Sequence, residues 1–250
     1  MQRFHKSFVR RLVIMTFLTL IPAGFASAMT VEPMVLDVTS IGKNATTSFR
    51  VSNPGASSLP VEITIMEMEI GPDGEATYKP ADDVLLIYPP QADIQSGSAQ
   101  TFRVQWIGDP EITASRNYRL SVSQVPVKRQ EQSSGIQLVL SFGVVVSVSP
   151  PESRSDIIVS AASPVMAQDG STAVALSVRN PGNKYAVMKN AAISFLGTSN
   201  WSANLSAIEV EKKIGLGIVQ PGKERHFLIP VDMPQDISGV TASIDYQPEK

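Results

Sequence analysis

The sequence predicts an all-β protein of two immunoglobulin-like β-sandwich domains in tandem, and three observations support this prediction. First, short apolar or β-branched runs alternate with turn signals, among them Asn-Pro-Gly twice. Second, the chain repeats itself: FRVSNPG at 49–55 matches LSVRNPG at 176–182, and IQSGSAQTF at 94–102 matches VQPGKERHF at 219–227. Third, the offsets of 127 and 125 residues give each half about the size of one sandwich, roughly 100 residues.

Residues 1–28 are predicted to form a secretory signal peptide. Four basic residues precede the apolar run LVIMTFLTLI, and Ala26-Ser27-Ala28 has the small residues of a cleavage site. The apolar run is shorter than the roughly 20 residues that span a bilayer. The mature chain is therefore expected to begin at Met29, as an exported protein without membrane insertion. An uncleaved membrane anchor is the alternative.

The composition excludes several classes of function. Without residues 1–28 the chain has 17 basic and 23 acidic residues, a net charge of −6, so it lacks the basic footprint of a nucleic-acid-binding protein. It contains no cysteine, which excludes thiol catalysis and cysteine metal sites. His226 is the one histidine after residue 28; it precedes the apolar Phe227 on a predicted strand, so its side chain is expected to face solvent. We expect no catalytic site, no metal and no cofactor.

The first domain, predicted at 29–149, begins with a strand near 31–38 and continues as a series of short strands. In the second strand, Phe49 and Val51 alternate with polar residues and are expected to face the core. The Leu59–Pro60 peptide bond, before the third strand, is open to both the cis and the trans form. The further strands are predicted near 46–52, 61–68, 84–88, 101–107 and 118–125.

The most informative segment is the long strand predicted at 135–150. Apolar side chains occupy every even position from Ile136 to Val148, whereas the odd positions are mostly small or polar. This alternation is about twice as long as an ordinary strand of 5 or 6 residues, so one half is a candidate for pairing with another protein at a sheet edge. A long strand wholly inside its own sandwich is the alternative. The polar loop before it carries Lys128 and Arg129, which are either solvated charges or contacts for a bound chain.

The second domain, predicted at 150–250, begins at Pro150-Pro151 and repeats the scheme of the first. No segment of it shows a convincing helical period. Its strands are predicted near 157–161, 172–178, 185–195, 208–210, 225–231 and 241–246.

These features together resemble the PapD-like periplasmic pilus chaperones of the chaperone-usher pathway. The features are the signal sequence, the two immunoglobulin-like halves, Leu59-Pro60 before the third strand, and the polar loop between Val125-Pro126 and a long strand that ends at Pro150. The resemblance implies a protein without enzymatic activity that lends part of the long strand to a pilus subunit whose own sandwich lacks a strand, and then delivers the subunit to an outer-membrane usher. The donor residues that it implies are Ile136, Leu138, Leu140 and Phe142.

The sequence departs from the best-known pattern of this family in its basic residues. That pattern places one basic residue on the first strand and one on the long strand, where they bind the C-terminal carboxylate of the subunit, but 31–41 and 135–150 contain no Lys or Arg. The sequence is more similar to the archaic branch, which carries an arginine in a Tyr-Arg-Leu segment before the polar loop. The resemblance implies Arg119 as the first candidate for the carboxylate anchor and Arg103 as the second. An outward-facing surface charge is the alternative for each.

Functions of different classes stay open. The first is a periplasmic chaperone for pilus subunits, and the alternative is an exported two-domain adhesive or ligand-binding module. A pilus subunit is less favoured, because subunits usually form one incomplete sandwich and this chain has two apparently complete halves; an exported enzyme is least favoured. The sequence leaves the oligomeric state of the free protein open; an uncovered apolar strand is also a surface through which two copies can pair.

Overall fold

The computed structural model describes residues 29–126, 139–167 and 170–248, which form two immunoglobulin-like β-sandwiches. The predicted signal peptide lies outside these residues. The N-terminal sandwich consists of β1 (Thr30–Glu32), β2 (Val35–Thr39), β3 (Thr46–Ser52), β4 (Leu59–Ile70), β5 (Ala76–Pro80), β6 (Leu85–Tyr88), β7 (Gln91–Ile94), β8 (Ala99–Trp106), β9 (Arg116–Gln124) and β10 (Ser141–Ser149). One sheet has the order β1-β3-β8-β6; the other has the order β2-β10-β9-β4-β5, with β7 also paired to β4.

The N-terminal core lies between these two sheets. Phe49 on β3 and Phe102 on β8 stack with 5.3 Å between their ring centroids, and both are buried. Leu120, on β9 of the opposite sheet, is buried in the same cluster. The strand predicted at 46–52 and its inward-facing Phe49 and Val51 are therefore confirmed.

The first strand differs from its prediction because the chain switches sheets within it. β1 pairs with β3, whereas β2 pairs in parallel with β10, so the strand predicted at 31–38 is two strands. Pro33 lies between them, and its missing N–H cannot contribute to a ladder of hydrogen bonds. The peptide bonds before Pro33 and Pro89 are cis, and the Leu59–Pro60 bond is not.

The C-terminal sandwich has its own apolar core, to which Val174, Leu176 and Phe195 contribute. The strand predicted at 185–195 is interrupted by a 3-10 turn at Met188–Asn190. The elements are β11 (Ile158–Met166), β12 (Thr172–Arg179), β13 (Ala186–Val187), β14 (Ala191–Gly197), β15 (Ser202–Leu205), α1 (Ala207–Ile214), β16 (Ile218–Val219), β17 (Glu224–Pro230) and β18 (Val240–Tyr246). They form the sheets β11-β12-β17, β13-β16 and β15-β14-β18.

The strand predicted at 208–210 is wrong, because these residues belong to helix α1. The Ser206 side chain accepts a hydrogen bond from the backbone N–H of Glu209, and the Glu209 carboxylate accepts one from the Ser206 N–H. This reciprocal Ser-x-x-Glu pair is a signal for the start of a helix. Gly215, at φ 65°, ends the helix. The capping signal thus outweighs the alternation of Ile208 and Val210 around Glu209, which resembles a strand.

The internal repeat has a structural counterpart in two buried asparagines, Asn53 and Asn180. Each side-chain amide donates to two backbone carbonyls, and each Oδ1 accepts from the glycine N–H two residues later. Because the partners correspond between the two halves, the repeated sequence encodes the same loop structure in both sandwiches. The partners are Ser57 O, Ile94 O and Gly55 N for Asn53, and Lys184 O, Val219 O and Gly182 N for Asn180.

The two sandwiches meet at a junction that contains a buried glutamine. Gln220 Oε1 accepts from the Ile70 N–H at 2.8 Å. Its Nε2 donates to Met68 O at 2.9 Å and to Asn117 Oδ1 at 3.1 Å. The side chains of Met68 and Ile70 pack there against Tyr185 and other apolar residues of the C-terminal sandwich. One side chain of the C-terminal sandwich therefore satisfies backbone groups of β4.

Replacing Gln220 with alanine is expected to lower the free energy of unfolding by about 1–3 kcal/mol, because the Ile70 N–H and the Met68 carbonyl would stay buried without a partner. Chemical denaturation measures this loss. Gln247→Ala is the matched control: its exposed side chain bonds to Asp245, and its removal should change the stability by less than about 0.5 kcal/mol. Equal losses for the two variants would contradict the structural role of Gln220.

His226 also lies at this junction, on β17. Its Nδ1 is 2.9 Å from Asp73 Oδ1 of the N-terminal sandwich, and its Nε2 is 3.2 Å from Glu224 Oε1. Its backbone N–H donates to Pro72 O at 2.7 Å. The expectation that it faces solvent is therefore only partly met, because the side chain is 46% exposed and ties the β4–β5 turn to the C-terminal sandwich. The hydrogen bonds to Asp73 and Glu224 raise the pKa of His226.

Stability is expected to depend on pH through His226. Because the folded-state pKa is raised, the stabilisation from the protonated ring is fully present below the unfolded pKa, about 6.5, and is lost as pH rises through the folded pKa. The thermal midpoint of the wild type should therefore exceed that of His226→Gln most at about pH 5.5, and the difference should shrink toward about pH 8. Thermal unfolding of both proteins across this range measures it. A difference that is independent of pH would contradict this role.

Candidate protein-binding edge

Among the described residues, one edge of β10 is unpaired over Ser141–Val144. One side of β10 pairs with β9 along nearly its whole length, but the other side pairs with β2 only from Val145 onward. The Val145 N–H donates to Met34 O at 2.9 Å, where this second pairing begins. Because successive backbone groups of a strand point to opposite sides, the N–H and C=O groups of Ser141 and Gly143 point away from β9. We refer to this side of Ser141–Val144 as the free edge.

An apolar row runs along β10 and the residue before it, from the core to the free edge. Its three inward-facing valines, Val144, Val146 and Val148, are completely buried. Leu140 and Phe142 continue the row on the same face, and both are partly buried against the N-terminal core. Val139 has the opposite parity and is 47% exposed. Leu140 and Phe142 are therefore next to the free edge and are not sealed inside the sandwich.

The long strand predicted at 135–150 corresponds to β10, which begins at Ser141. The two described residues before it, Val139 and Leu140, are not part of the strand. The predicted donor residues Ile136 and Leu138 and the predicted loop contacts Lys128 and Arg129 lie outside the described residues.

Arg119 lies on β9 beside the point at which the free edge ends. It pairs with Val145, and its side chain is on the outer face of the sheet, because its neighbours Tyr118 and Leu120 are buried in the core. Arg119 Nη1 donates to Tyr78 Oη at 3.2 Å. Its Nε is shielded from solvent and has no acceptor among the described residues. A shielded charged donor without an acceptor is unusual. The recorded side-chain partner of Arg119 is neutral, and among the described residues no carboxylate pairs with its charge.

Arg103 occupies a different place in the sandwich. It lies on β8 in the opposite sheet, is exposed on the outer face and is paired with Tyr88. The structure therefore does not bring the two candidate arginines together, and only Arg119 shares a sheet with the free edge. Their roles in binding stay predictions.

Sequence reasoning did not single out two residues that contact Arg119. They are Tyr78 on β5 and Gly143 on β10, and the Arg119 guanidinium carbon is 5.5 Å from the Tyr78 ring centroid. A Cβ at Gly143 would lie 2.8 Å from Arg119 Nε. A glycine inside a strand is a signal for such a close approach, whereas nothing in the sequence points from Tyr78 to Arg119.

The arrangement is suited to binding an extended chain. It offers unpaired backbone groups, an apolar row and one guanidinium, which together can bind a β-strand that ends in a carboxylate. Within the part of the chain that the structure describes, there is no cluster of three or more His, Asp or Glu side chains that could hold a metal. No helix in that part is long and apolar enough to cross a membrane.

Residues 30–153 match the family model of the PapD N-terminal domain, described as a pili and flagellar-assembly chaperone. No curated protein matches the sequence.

Three solved structures share the fold at low identity. The class 5 fimbriae chaperone CfaA is 13% identical with a TM-score of 0.55, over 88% of this chain and 100% of CfaA. A chain of a chaperone–tip adhesin complex of CFA/I fimbriae biogenesis is 14% identical with a TM-score of 0.55, over 90% of this chain and 94% of that chain. A chain of the CsuC–CsuE complex of the archaic Csu pili of Acinetobacter baumannii is 15% identical with a TM-score of 0.51, over 82% of this chain and 93% of that chain. These structures show a shared fold, and the match at residues 30–153 shows that this chain belongs to the PapD-like family of pili and flagellar-assembly chaperones.

Proposed function

We propose that this protein is a periplasmic chaperone that binds and stabilises pilus subunits by donor-strand complementation and delivers them to an outer-membrane usher. The observation that supports the proposal most directly is the free edge of β10 beside a row of apolar side chains. Family members have been solved with a pilin and with tip adhesin subunits, which supports pilus subunits as the partners.

In this proposal a strand of the subunit pairs with the free edge. The backbone groups of Ser141 and Gly143 bond to it, while Leu140 and Phe142, with the predicted Ile136 and Leu138, fill the groove left by the missing strand of the subunit. Each such side chain contributes roughly 1.5–3 kcal/mol when it leaves water. An incomplete sandwich that exposes a groove and an open edge is prone to aggregate, so covering both keeps the subunit soluble.

Arg119 is proposed to bind the C-terminal carboxylate of the subunit. It lies in the same sheet as the free edge and beside its end at Val145, and its fork of N–H donors matches a carboxylate. Holding the C-terminal carboxylate at one point also fixes the register of the bound strand on β10. This matters because a shift of one residue would turn every side chain of the bound strand to the other face. The proposal also includes contacts between the bound subunit and Lys128 and Arg129 of the polar loop.

The remaining parts of the proposal rest on the sequence and on the family. The features of residues 1–28 support export to the periplasm. The Tyr118-Arg119-Leu120 segment supports the archaic branch. Delivery to the usher is supported by the resemblance to chaperones of the chaperone-usher pathway.

The function is tested by mixing the purified protein with a candidate pilus subunit that was refolded from denaturant. We expect a soluble one-to-one complex in size-exclusion chromatography with light scattering, and aggregation of the subunit without the chaperone. If the free protein self-associates through its free edge, the subunit should also dissociate those oligomers. A subunit that aggregates equally with and without the protein would contradict the proposal and favour an exported binding module.

A further inference from the structure

The guanidinium of Arg119 is held between two residues that are distant in sequence. On one side is Tyr78, whose ring lies 5.5 Å from the guanidinium carbon and whose Oη accepts from Nη1 at 3.2 Å. On the other side is the backbone of Gly143, where a Cβ would lie 2.8 Å from Nε and 3.2 Å from both Cζ and Nη2. Gly143 belongs to the strand that carries the free edge, so the guanidinium lies over β10.

These contacts hold the arginine without neutralising it. Tyr78 uses one donor of the guanidinium, and its ring attracts the cation through its electron-rich face. Gly143 provides space and accepts no hydrogen bond from the Arg119 side chain. No carboxylate of the described residues lies within ion-pairing distance of Arg119. The positive charge is therefore held over β10 and is not neutralised by a carboxylate of the described residues.

We propose that Tyr78 and Gly143 are positioning residues that fix the Arg119 guanidinium for the C-terminal carboxylate of a bound strand. This inference rests on the proposed function, because Tyr78 and Gly143 can act as positioning residues only if Arg119 is the anchor of a bound strand. A long arginine side chain loses rotamer entropy when it is fixed. Contacts that fix it before the strand binds reduce this cost, and they also fix where the carboxylate lies relative to the apolar row.

Gly143→Ala is the sharpest test, because it acts on Arg119 with little risk to the fold. The contact that an added Cβ would make is with a flexible side chain, and the φ of Gly143 is not in the left-handed region. The variant should therefore fold normally while its Cβ displaces the guanidinium. Tyr78→Ala removes the other support, and Tyr78→Phe keeps the ring but removes the hydroxyl acceptor.

The probe is a fluorescent peptide of about ten alternating valine and serine residues, which can add to the free edge as a strand. It is prepared with a free C-terminal carboxylate and, separately, with an amidated C-terminus. Wild type should bind the acid about tenfold or more tightly than the amide, as expected for charge-assisted hydrogen bonds. In Gly143→Ala and Tyr78→Ala this ratio of acid to amide affinity should fall to below about threefold, and Tyr78→Phe should lie between. The ratio isolates the carboxylate contact, because any effect of a substitution on backbone pairing is common to both peptides.

The controls separate failure of this inference from failure of the proposed anchor. Gly143→Ala in an Arg119→Ala background should have no further effect on the ratio, as in a double-mutant cycle. Tyr88→Ala, at an exposed tyrosine of the opposite sheet, should leave the ratio unchanged. A wild-type ratio that persists in Gly143→Ala and Tyr78→Ala would overturn the positioning role and leave Arg119 as the anchor. Equal wild-type binding of acid and amide would overturn the anchor and the positioning role together.

Discussion

Leu138→Asp combined with Leu140→Asp is expected to abolish recovery of a pilus subunit that is co-expressed with this protein in a bacterial periplasm. The two leucines are proposed to fill the groove of the subunit, so their loss removes about 3–6 kcal/mol of apolar burial. Placing carboxylates there adds a further desolvation cost. Binding should therefore weaken by about 100-fold or more, and the unprotected subunit should be degraded. Immunoblotting of the periplasmic fraction for both proteins measures the outcome.

The matched control for this variant is Val139→Asp. Val139 lies between the two leucines in sequence, has the opposite parity and is 47% exposed, so an aspartate there should leave subunit recovery near the wild-type level. Because Leu140 also packs partly on the N-terminal core, circular dichroism and thermal unfolding of the double variant must show a folded protein. A folded double variant that recovers the subunit as well as wild type would reject the donor role.

Arg119→Ala is expected to have the second largest effect, lowering subunit affinity by about tenfold or more. A hydrogen bond to a charged group contributes about 1.5–3 kcal/mol, and the carboxylate of the subunit would lose its partner. Arg119→Lys should restore only part of the affinity, because an ammonium keeps the charge but cannot form the bidentate fork. Surface binding kinetics with the purified subunit measures both variants.

Arg103→Ala is the control that ranks the two candidates. Arg103 is exposed on the opposite sheet, away from the free edge, so its removal should change the affinity for the subunit by less than about twofold. If Arg103→Ala weakened binding more than Arg119→Ala, the anchor would lie elsewhere and the proposed path of the bound strand would have to be redrawn.

The fold could be predicted from the sequence wherever side-chain alternation and loop signals agree. The strand at 46–52 and the repeat around Asn53 and Asn180 are examples, because local pattern and tertiary structure require the same residues. Helix α1 is harder to predict, because Ile208 and the buried Val210 alternate around Glu209 as in a strand, although the Ser206–Glu209 capping pair is visible in the sequence.

The candidate site was harder to predict than the fold. The apolar row of β10 is a pattern along one strand, so the sequence reveals it directly. The free edge is different, because it depends on β2 pairing with β10 only from Val145 onward, a register that the sequence does not state. The contact of Tyr78 with Arg119 joins residues 41 positions apart, and no local pattern encodes it.

The central claim is that the free edge of β10 accepts a strand from another protein, and amide hydrogen exchange tests it most directly. In the isotope-labelled protein, NMR should show strong new protection at the N–H groups of Ser141 and Gly143 when the subunit binds, because these groups point to the free edge. The N–H groups of Phe142 and Val144 point to β9 and should already be protected in the free protein. A saturated complex in which Ser141 and Gly143 exchange as fast as in the free protein would contradict the account.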